Sequence, residues 1–467
     1  MSNAEAAPVG VGSRASPEAE RRPRRLATSA AMTYAMNIGV AVASLVNVLI
    51  TARYLGPVGR GQVAFVMSIA VVTSTLAGLS IEQSNVNMGS VQPGARRALA
   101  TNSLAFAGVF GVAAGGLALL LSYVAPASTG HLPPLLLWLA AAAVPFLIAR
   151  TYLGALVEAD YRFAVSNTAR LIAPVSAMVA NGLLAVLGLL TATSASVAWT
   201  AGHLLGLALL VFFVARRSVG FGAIDLPLAR RMVSFGLRAH IARAMNVANY
   251  RLDQWFVGAL AGARELGLYS VAVAASEVLF LLPTALAKVQ RPVLVRATAS
   301  GAARRGAANF RLAILLSVPG AAALIIAAPT LCAVLFGVSF DGSIDDLRVL
   351  VAGAFGVVAV KLLGDALTAQ RRPLLDSAAV GVGFAFTLVL DIVLIPHLGG
   401  LGAAIASTVA YTAGGITAAV LFLRVLGGRA RDLVPRRADV AKLARLAVRV
   451  ARHRRRKAPE PLIDDAA

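Results

Sequence analysis

The sequence contains few charged residues and almost no cysteine. Only 14% of its 467 residues are Asp, Glu, Lys or Arg, against about 25% in an ordinary soluble domain. So few charges cannot cover the surface of a soluble protein of this length, and 58% of the residues are hydrophobic. The single cysteine, Cys332, excludes an internal disulfide and a thiolate metal cluster. The composition therefore indicates a membrane protein that crosses the bilayer several times.

The motifs of soluble enzymes are also missing. No Gly-Lys pair is present to form a phosphate-binding loop, and the histidines stand apart without the spacing of metal ligands. They are His131, His203, His240, His397 and His453. We therefore predict no catalytic residue, no metal site and no cofactor, apart from a coupling ion, and the chain is not expected to be an enzyme.

The apolar residues form long continuous runs, each of the length that a membrane-spanning helix needs. Because these runs do not alternate with polar residues, they predict helices and not a barrel. The predicted fold is an all-α polytopic membrane protein with about twelve transmembrane helices. The predicted spans are 32–53, 63–81, 103–124, 133–157, 169–190, 196–215, 239–261, 267–287, 311–336, 348–369, 374–395 and 402–424.

The basic residues predict how the chain lies in the membrane. The net charge is +22, but the excess sits at the two ends and in alternate connections, so it does not indicate nucleic-acid binding. Cytoplasmic connections are rich in Lys and Arg, which predicts a multi-pass plasma-membrane protein with both termini in the cytoplasm. The inner connections then hold six arginine clusters, whereas the outer connections hold little more than Arg53, Arg60, Arg264 and Arg348.

The sequence repeats itself with the period of half the membrane region. Gly56 and Gly61 after the first span align with Gly262 and Gly267 after the seventh. Two bundles of six helices that enter the membrane in the same direction are a parallel repeat. The predicted regions are a disordered basic N-terminus (1–27), an N-terminal bundle (28–215), a cytoplasmic linker (216–238), a C-terminal bundle (239–424) and a basic cytoplasmic tail (425–467).

Polar residues inside spans are costly unless they face a cavity or one another. The seventh span carries such residues within about a third of its circumference, and the repeat places residues of the first span opposite them. These polar stripes predict a substrate site between the halves. The candidates are Arg243, Asn246, Tyr250, Asp253 and Gln254, with Arg251 beside them, and Asn37 and Asn47 of the first span.

Other spans add charged candidates. Arg150 in the fourth span and Lys361 in the tenth occupy almost equivalent positions of the repeat, and Asp365 is four residues after Lys361. Glu277 lies in the eighth span, and Asp391 in the eleventh. We predict a hydrated central cavity that is rich in cations. Two of these features have structural alternatives, because Arg243 can extend to the membrane surface and Lys361–Asp365 can be an ion pair of purely structural importance.

The basic tail combines apolar residues with arginines at helical spacing between residues 429 and 457. This pattern predicts an amphipathic helix that binds anionic lipids of the inner leaflet. A simple topological anchor is the alternative.

Two segments resemble a known family. The first runs from Ile50 through Thr51-Ala52-Arg53-Tyr54-Leu55-Gly56-Pro57 to Gly59-Arg60-Gly61. The second comprises Arg251-Leu252-Asp253, Gly262, Gly267-Leu268-Tyr269, Glu277 and Pro283. Both are similar to the Wzx-type polysaccharide flippases of the multidrug/oligosaccharidyl-lipid/polysaccharide (MOP) exporter superfamily, and the resemblance extends over about residues 28–424.

This resemblance implies a V-shaped pair of bundles around a central cavity. It also implies that an undecaprenyl-diphosphate-linked glycan is moved from the inner to the outer leaflet by alternating access, with polysaccharide polymerase or assembly proteins as partners. On this hypothesis Arg150, Arg243, Arg251 and Lys361 attract the diphosphate. Asp253, Glu277, Asp365 or Asp391 then couples H⁺ or Na⁺ to the return of the empty carrier.

Four alternatives stay open at this point. A cation-coupled drug or metabolite exporter of the same superfamily predicts a cavity dominated by acids. A lipid II flippase predicts fourteen spans, and a membrane glycan polymerase or ligase predicts a large outer loop. The last alternative is a scaffold without transport activity.

Overall fold

The computed structural model describes residues 17–125 and 132–439, and within these residues it contains helices and no strand. Short 3-10 turns and two π-helical turns, 332–336 and 360–364, connect or continue the α-helices. The α-helices are α1 (Pro17–Ala77), α2 (Ile81–Val91), α3 (Arg96–Val124), α4 (Pro134–Ala159), α5 (Phe163–Val186), α6 (Ala192–Arg217), α7 (Leu226–Leu260), α8 (Gly262–Ser276), α9 (Leu281–Val295), α10 (Ala299–Leu331), α11 (Ser343–Ala359), α12 (Asp365–Ala369) and α13 (Pro373–Leu426).

Nine helical stretches of the described residues are long and apolar enough to cross a membrane. The chain is therefore a multi-pass membrane protein, as the composition predicts. Two of these stretches, in α1 and α13, each contain two of the predicted spans. The predicted seventh span lies in α7, which is more polar and is not among the nine. The number twelve stays a prediction.

The chain folds back inside α1 and inside α13, at glycines with left-handed backbone angles. Gly56 has φ 64° and Gly399 has φ 57°, a region that glycine enters without steric cost. Ala41 and Val71 line the same cavity, although thirty residues of straight helix would separate them by about 45 Å. Each of these long helices is thus two antiparallel arms joined by a tight turn.

The structure confirms the predicted parallel repeat. Gly56 and its repeat partner Gly262 both have positive φ angles, 64° and 89°. Gly61 lies against the backbone carbonyl of Ala263, and Gly267 lies against that of Pro57. These two contacts exchange under the 206-residue offset of the repeat, as contacts across a two-fold axis must. The pseudo-symmetry axis therefore passes between these two turns.

Each half has its own apolar core, and a third core joins the halves. The N-terminal core surrounds Tyr152, and the C-terminal core surrounds Phe422. The joining core contains Phe65 of α1 with Val257 of α7 and Tyr269 of α8. The halves are thus held together at the end of the molecule where the Gly56 and Gly262 turns lie.

Two helices extend beyond the predicted region boundaries, past the apolar runs. Helix α7 begins at Leu226, where the Asp225 side chain accepts a hydrogen bond from the Leu228 amide at 2.8 Å. Most of the predicted linker 216–238 is therefore helical, and its Leu228 lies in the core of the N-terminal half. At the other boundary, α1 begins at Pro17, inside the region 1–27 that was predicted to be disordered. Residues 1–16 lie outside the described residues.

The start of the basic tail is attached to α10. The Arg311 guanidinium donates hydrogen bonds to both carboxylate oxygens of Asp439, at 2.7 and 3.2 Å, and another to the Asp432 carbonyl oxygen. These bonds hold the pKa of the Asp439 carboxyl below its ordinary value. The predicted amphipathic helix falls mostly on residues 440–467, which lie outside the described residues, so its binding to anionic lipids stays a prediction.

Candidate functional site

A cavity of about 420 Å³ lies between the two halves. Both arms of α1 and helices α6, α7 and α8 line it, so each half supplies part of the wall. Most of the lining is apolar. The polar side chains that reach the cavity include Asn37, Ser44, Arg60, Arg251, Gln254 and Glu277.

Arg60 is the least compensated charge in this cavity. Its side chain is 5% exposed, and its Nε and Nη1 atoms have no hydrogen-bond acceptor within residues 17–125 and 132–439. A buried guanidinium without partners costs several kcal/mol. An anion or a water molecule that reaches these donors would therefore be bound favourably.

Arg251 lies in the same cavity and carries the one ion pair among its described lining residues. Its Nη2 atom is 3.4 Å from Oε1 of Glu277, and its backbone carbonyl accepts a hydrogen bond from Ser68 at 3.2 Å. Two arginines against one glutamate leave an excess of one positive charge. The cavity thus favours an anionic ligand.

Four of the predicted site residues line this cavity: Asn37, Arg251, Gln254 and Glu277. Polar residues of the first and seventh spans thus meet between the halves along this part of the stripe. Glu277 was predicted as an ion-coupling residue and Arg251 as a diphosphate-binding residue. The structure shows these two side chains as partners.

Arg243 lies at a second contact between the halves and not in the cavity. Its Nε atom is 2.8 Å from Oε1 of Glu82, a buried acid that the sequence analysis did not single out. Near it, Ser80 hydrogen-bonds to His240 at 3.2 Å, and Leu79 and Ser80 both have positive φ angles. The cavity therefore lies between two contacts of the halves. One is at the Gly56 and Gly262 turns, and the other is at Leu79 and Ser80, between α1 and α2.

Two predicted residues lie within the N-terminal half. The Asn47 amide oxygen accepts a hydrogen bond from Asn181 of α5 at 2.7 Å, so its side chain binds a neighbouring helix. The Arg150 side chain lies beside Gly206 of α6, and its Nε atom has no hydrogen-bond acceptor within the described residues.

Three predicted residues form a cluster inside the C-terminal half. Asn246 and Tyr250 line a small pocket against α11 and α13, and the Lys361 ammonium lies 5.7 Å from the centre of the Tyr250 ring. That distance and placement fit a cation–π contact. None of the three lines the central cavity.

Lys361 and Asp365 do not form the ion pair that was their structural alternative. Asp365 instead pairs with Arg291 of α9, at 3.1 Å, and accepts a hydrogen bond from Gln290 at 3.2 Å. The Asp365 carboxylate is thus held by α9, whereas the Lys361 ammonium lies against the Tyr250 ring.

Asp253 and Asp391 lie within the C-terminal half, on α7 and α13. Asp253 accepts hydrogen bonds from the Tyr269 hydroxyl at 2.6 Å and from the Gln254 amide at 2.7 Å. Asp391 is fully buried, and neither carboxylate oxygen has a hydrogen-bond donor within the described residues.

These two acids face each other across neighbouring helices. Thr387 donates a hydrogen bond to Asn249 at 2.9 Å. Asp391 and Asp253 each lie one helical turn further along the same faces. Two buried carboxylates in one another's electrostatic range can be accommodated when a proton or a cation neutralises one charge.

Sequence reasoning missed Arg60 and Glu82 as site residues. Arg60 was assigned to an outer connection because the apolar run of the second span begins only at residue 63. A stronger signal was Pro57, since proline is favoured in the first turn of a helix, and a helix that begins there carries Arg60 in its first turn. Glu82 lies just past the predicted end of that span, so hydropathy could not place it.

A family described as "Polysaccharide biosynthesis protein" matches residues 50–345. The chain belongs to this family. The matched region contains the Gly56 turn, the cavity arginines and the contact between Arg243 and Glu82. No curated protein matches the sequence significantly.

Solved structures of MOP superfamily transporters share the fold of this family member. The lipid II flippase MurJ in an inward closed conformation is 12% identical, with a TM-score of 0.68 over 86% of this chain and 89% of its own. An inward-facing multidrug resistance MATE transporter is 13% identical, with a TM-score of 0.59 over 85% and 94%. A MOP transporter from Pyrococcus furiosus is 11% identical, with a TM-score of 0.53 over 86% and 95%. The architecture is therefore the two-lobed fold of this superfamily.

Proposed function

We propose that this protein is a flippase that moves an undecaprenyl-diphosphate-linked oligosaccharide from the inner to the outer leaflet of the plasma membrane. The observation that carries the proposal is the buried guanidinium of Arg60 beside Arg251 in the cavity between the halves. Its Nε and Nη1 donors have no acceptor among the described residues. Arginine binds two phosphate oxygens at once through its planar fork. A site that favours an anion, in a membrane protein of polysaccharide biosynthesis, suits a lipid diphosphate.

The cavity also argues against a drug exporter. A carrier for cationic drugs needs acidic groups that are free to pair with its substrate. The one carboxylate among the described residues that line this cavity, Glu277, is already paired with Arg251. The excess of arginine favours an anionic substrate.

The orientation and the partners belong to the same proposal. The arginine distribution places both termini in the cytoplasm. Arg60, now part of the cavity, no longer counts among the outer charges, so the bias is stronger than the sequence alone indicated. The glycan leaves on the outer face, where a polysaccharide polymerase or other assembly protein would receive it.

Deletion of the gene tests the proposed function. We expect lipid-linked glycan to accumulate on the inner leaflet. An added glycosidase should not cleave this glycan until the membrane is permeabilised. Expression of the wild-type protein should restore export. If glycan reaches the outer leaflet at the normal rate in the deletion strain, or if a cationic drug accumulates instead, the proposal is wrong.

The buried acids of the C-terminal half should bind the coupling ion, H⁺ or Na⁺. Asp391→Asn removes a buried charge without changing the size of the side chain, so we expect no loss of thermal stability but a fall of about tenfold or more in export. Asp345→Asn is the matched control, because the Asp345 side chain is 74% exposed. Wild-type export by the Asp391 variant would contradict this assignment.

A further inference from the structure

Four cations outside the central cavity lie at one depth in the molecule. Arg150 lies nine residues before the end of α4 at Ala159, and Lys288 lies seven residues before the end of α9 at Val295. Arg170 follows the start of α5 by seven residues, and Lys361 precedes the end of α12 by eight. At 1.5 Å per residue, all four lie about 10–14 Å from the same end of the bundle. We call Arg150, Arg170, Lys288 and Lys361 the four-cation cluster.

These cations come from both halves, two from each. Arg170 lies within electrostatic range of Arg150 in its own half and of Lys288 in the other half, and Lys288 lies within range of Lys361. The cluster therefore crosses the cleft between the halves. None of its members lines the central cavity.

Nothing in the described part of the chain neutralises this cluster. None of its members takes part in the ion pairs of residues 17–125 and 132–439. The one acid in electrostatic range of Lys361 that the structure shows is Glu277, and it is bound to Arg251. Like charges that face one another destabilise the folded protein, so an anion between them would stabilise it.

We infer that the four-cation cluster is a second anion-binding site, which takes the diphosphate of the lipid-linked substrate before it reaches Arg60 and Arg251. This inference rests on the proposed function and adds an earlier binding step to it. Two guanidinium groups supply forked hydrogen bonds, and two ammonium groups supply point charges. A diphosphate, with several negative charges on adjacent phosphoryl groups, matches four cations better than a single phosphate does.

Binding of farnesyl diphosphate to the purified full-length protein tests this site. We expect Lys288→Gln and Arg170→Gln each to weaken binding about tenfold, and the double variant to weaken it further. Lys288→Arg should retain most of the affinity. Arg305→Gln is the matched control, because it removes an exposed arginine from α10 near the same end of the bundle.

Competing ligands identify the source of the anion. Inorganic pyrophosphate should compete at higher concentration than farnesyl diphosphate, and phosphatidylglycerol should compete weakly. If phosphatidylglycerol competes equally well, the site binds anionic lipid in general and the inference fails. If the Lys288 and Arg170 variants bind like the wild type while Arg251→Ala does not, the second site is refuted and the proposed function stands. If the wild-type protein binds no diphosphate, the proposed function itself fails.

Discussion

Replacing Arg251 by alanine should lower glycan export about 10- to 100-fold, with the protein still present in the membrane. The loss corresponds to one charge-assisted hydrogen-bonding group, which contributes about 1.5–3 kcal/mol. Arg251 lines the central cavity and holds Glu277 at 3.4 Å, so the variant loses the cation and leaves the acid without its partner. Export of lipid-linked glycan, normalised to the amount of protein in the membrane, is the measurement.

Three further variants separate binding from folding. Arg251→Lys keeps the charge but not the fork, and we expect intermediate export. The double variant Arg251→Ala/Glu277→Ala removes the unpaired acid, so it should recover thermal stability without recovering export. Arg264→Ala is the control, because the Arg264 side chain is 66% exposed at the start of α8. Normal export by the Arg251→Ala variant would remove this residue from the substrate path.

Replacing Gly267 by valine should prevent the two halves from meeting. A Cβ at this position would overlap the backbone carbonyl of Pro57 in the opposite turn. A flexible side chain could move aside, but a backbone carbonyl cannot move without shifting the whole turn. The cost should exceed the 1–3 kcal/mol that is typical of overpacking. We expect a large loss of monodisperse protein after solubilisation and no export from what remains.

Gly116→Val is the matched control for this substitution. Gly116 lies in α3, and no heavy atom lies within 4 Å of the position of an added Cβ. This variant should purify and export normally. Gly61→Val should behave like the Gly267 variant, because Gly61 makes the symmetry-related contact with the Ala263 carbonyl. A stable, active Gly267→Val protein would show that the close contact of the two turns is dispensable.

Much of the fold could be predicted because its signals are local. The length of each apolar run indicates a helix that can cross the bilayer, and this information does not depend on distant residues. The repeat was visible because tight turns require glycine at the same positions in both halves. Gly56 and Gly262 confirm it through their positive φ angles. The start of α7 was missed because Arg230 and Arg231 interrupt its apolar residues, although Leu228 packs on the other half.

The site could be predicted only in part, because a helix carries polar residues on faces that point in different directions. On α7, Arg251 and Gln254 reach the cavity, whereas Tyr250 and Asp253 point into the C-terminal half. Neighbouring residues are 100° apart around a helix. A stripe that covers a third of the circumference therefore spans both a cavity face and a packing face, and the sequence does not distinguish them.

Composition and hydropathy by themselves determined that this is an all-helical membrane protein, and the repeated turn glycines determined that it has two related halves. Those properties depend on the number and spacing of apolar residues along the chain. Only the tertiary structure decided which of the few charges act together. It paired Arg251 with Glu277 and Asp365 with Arg291, and it placed Arg60 in the cavity instead of the outer connection. Such pairings depend on the rotation and packing of helices that are far apart in sequence, because a charge in a membrane is stabilised by whichever group the fold brings within a few ångströms of it.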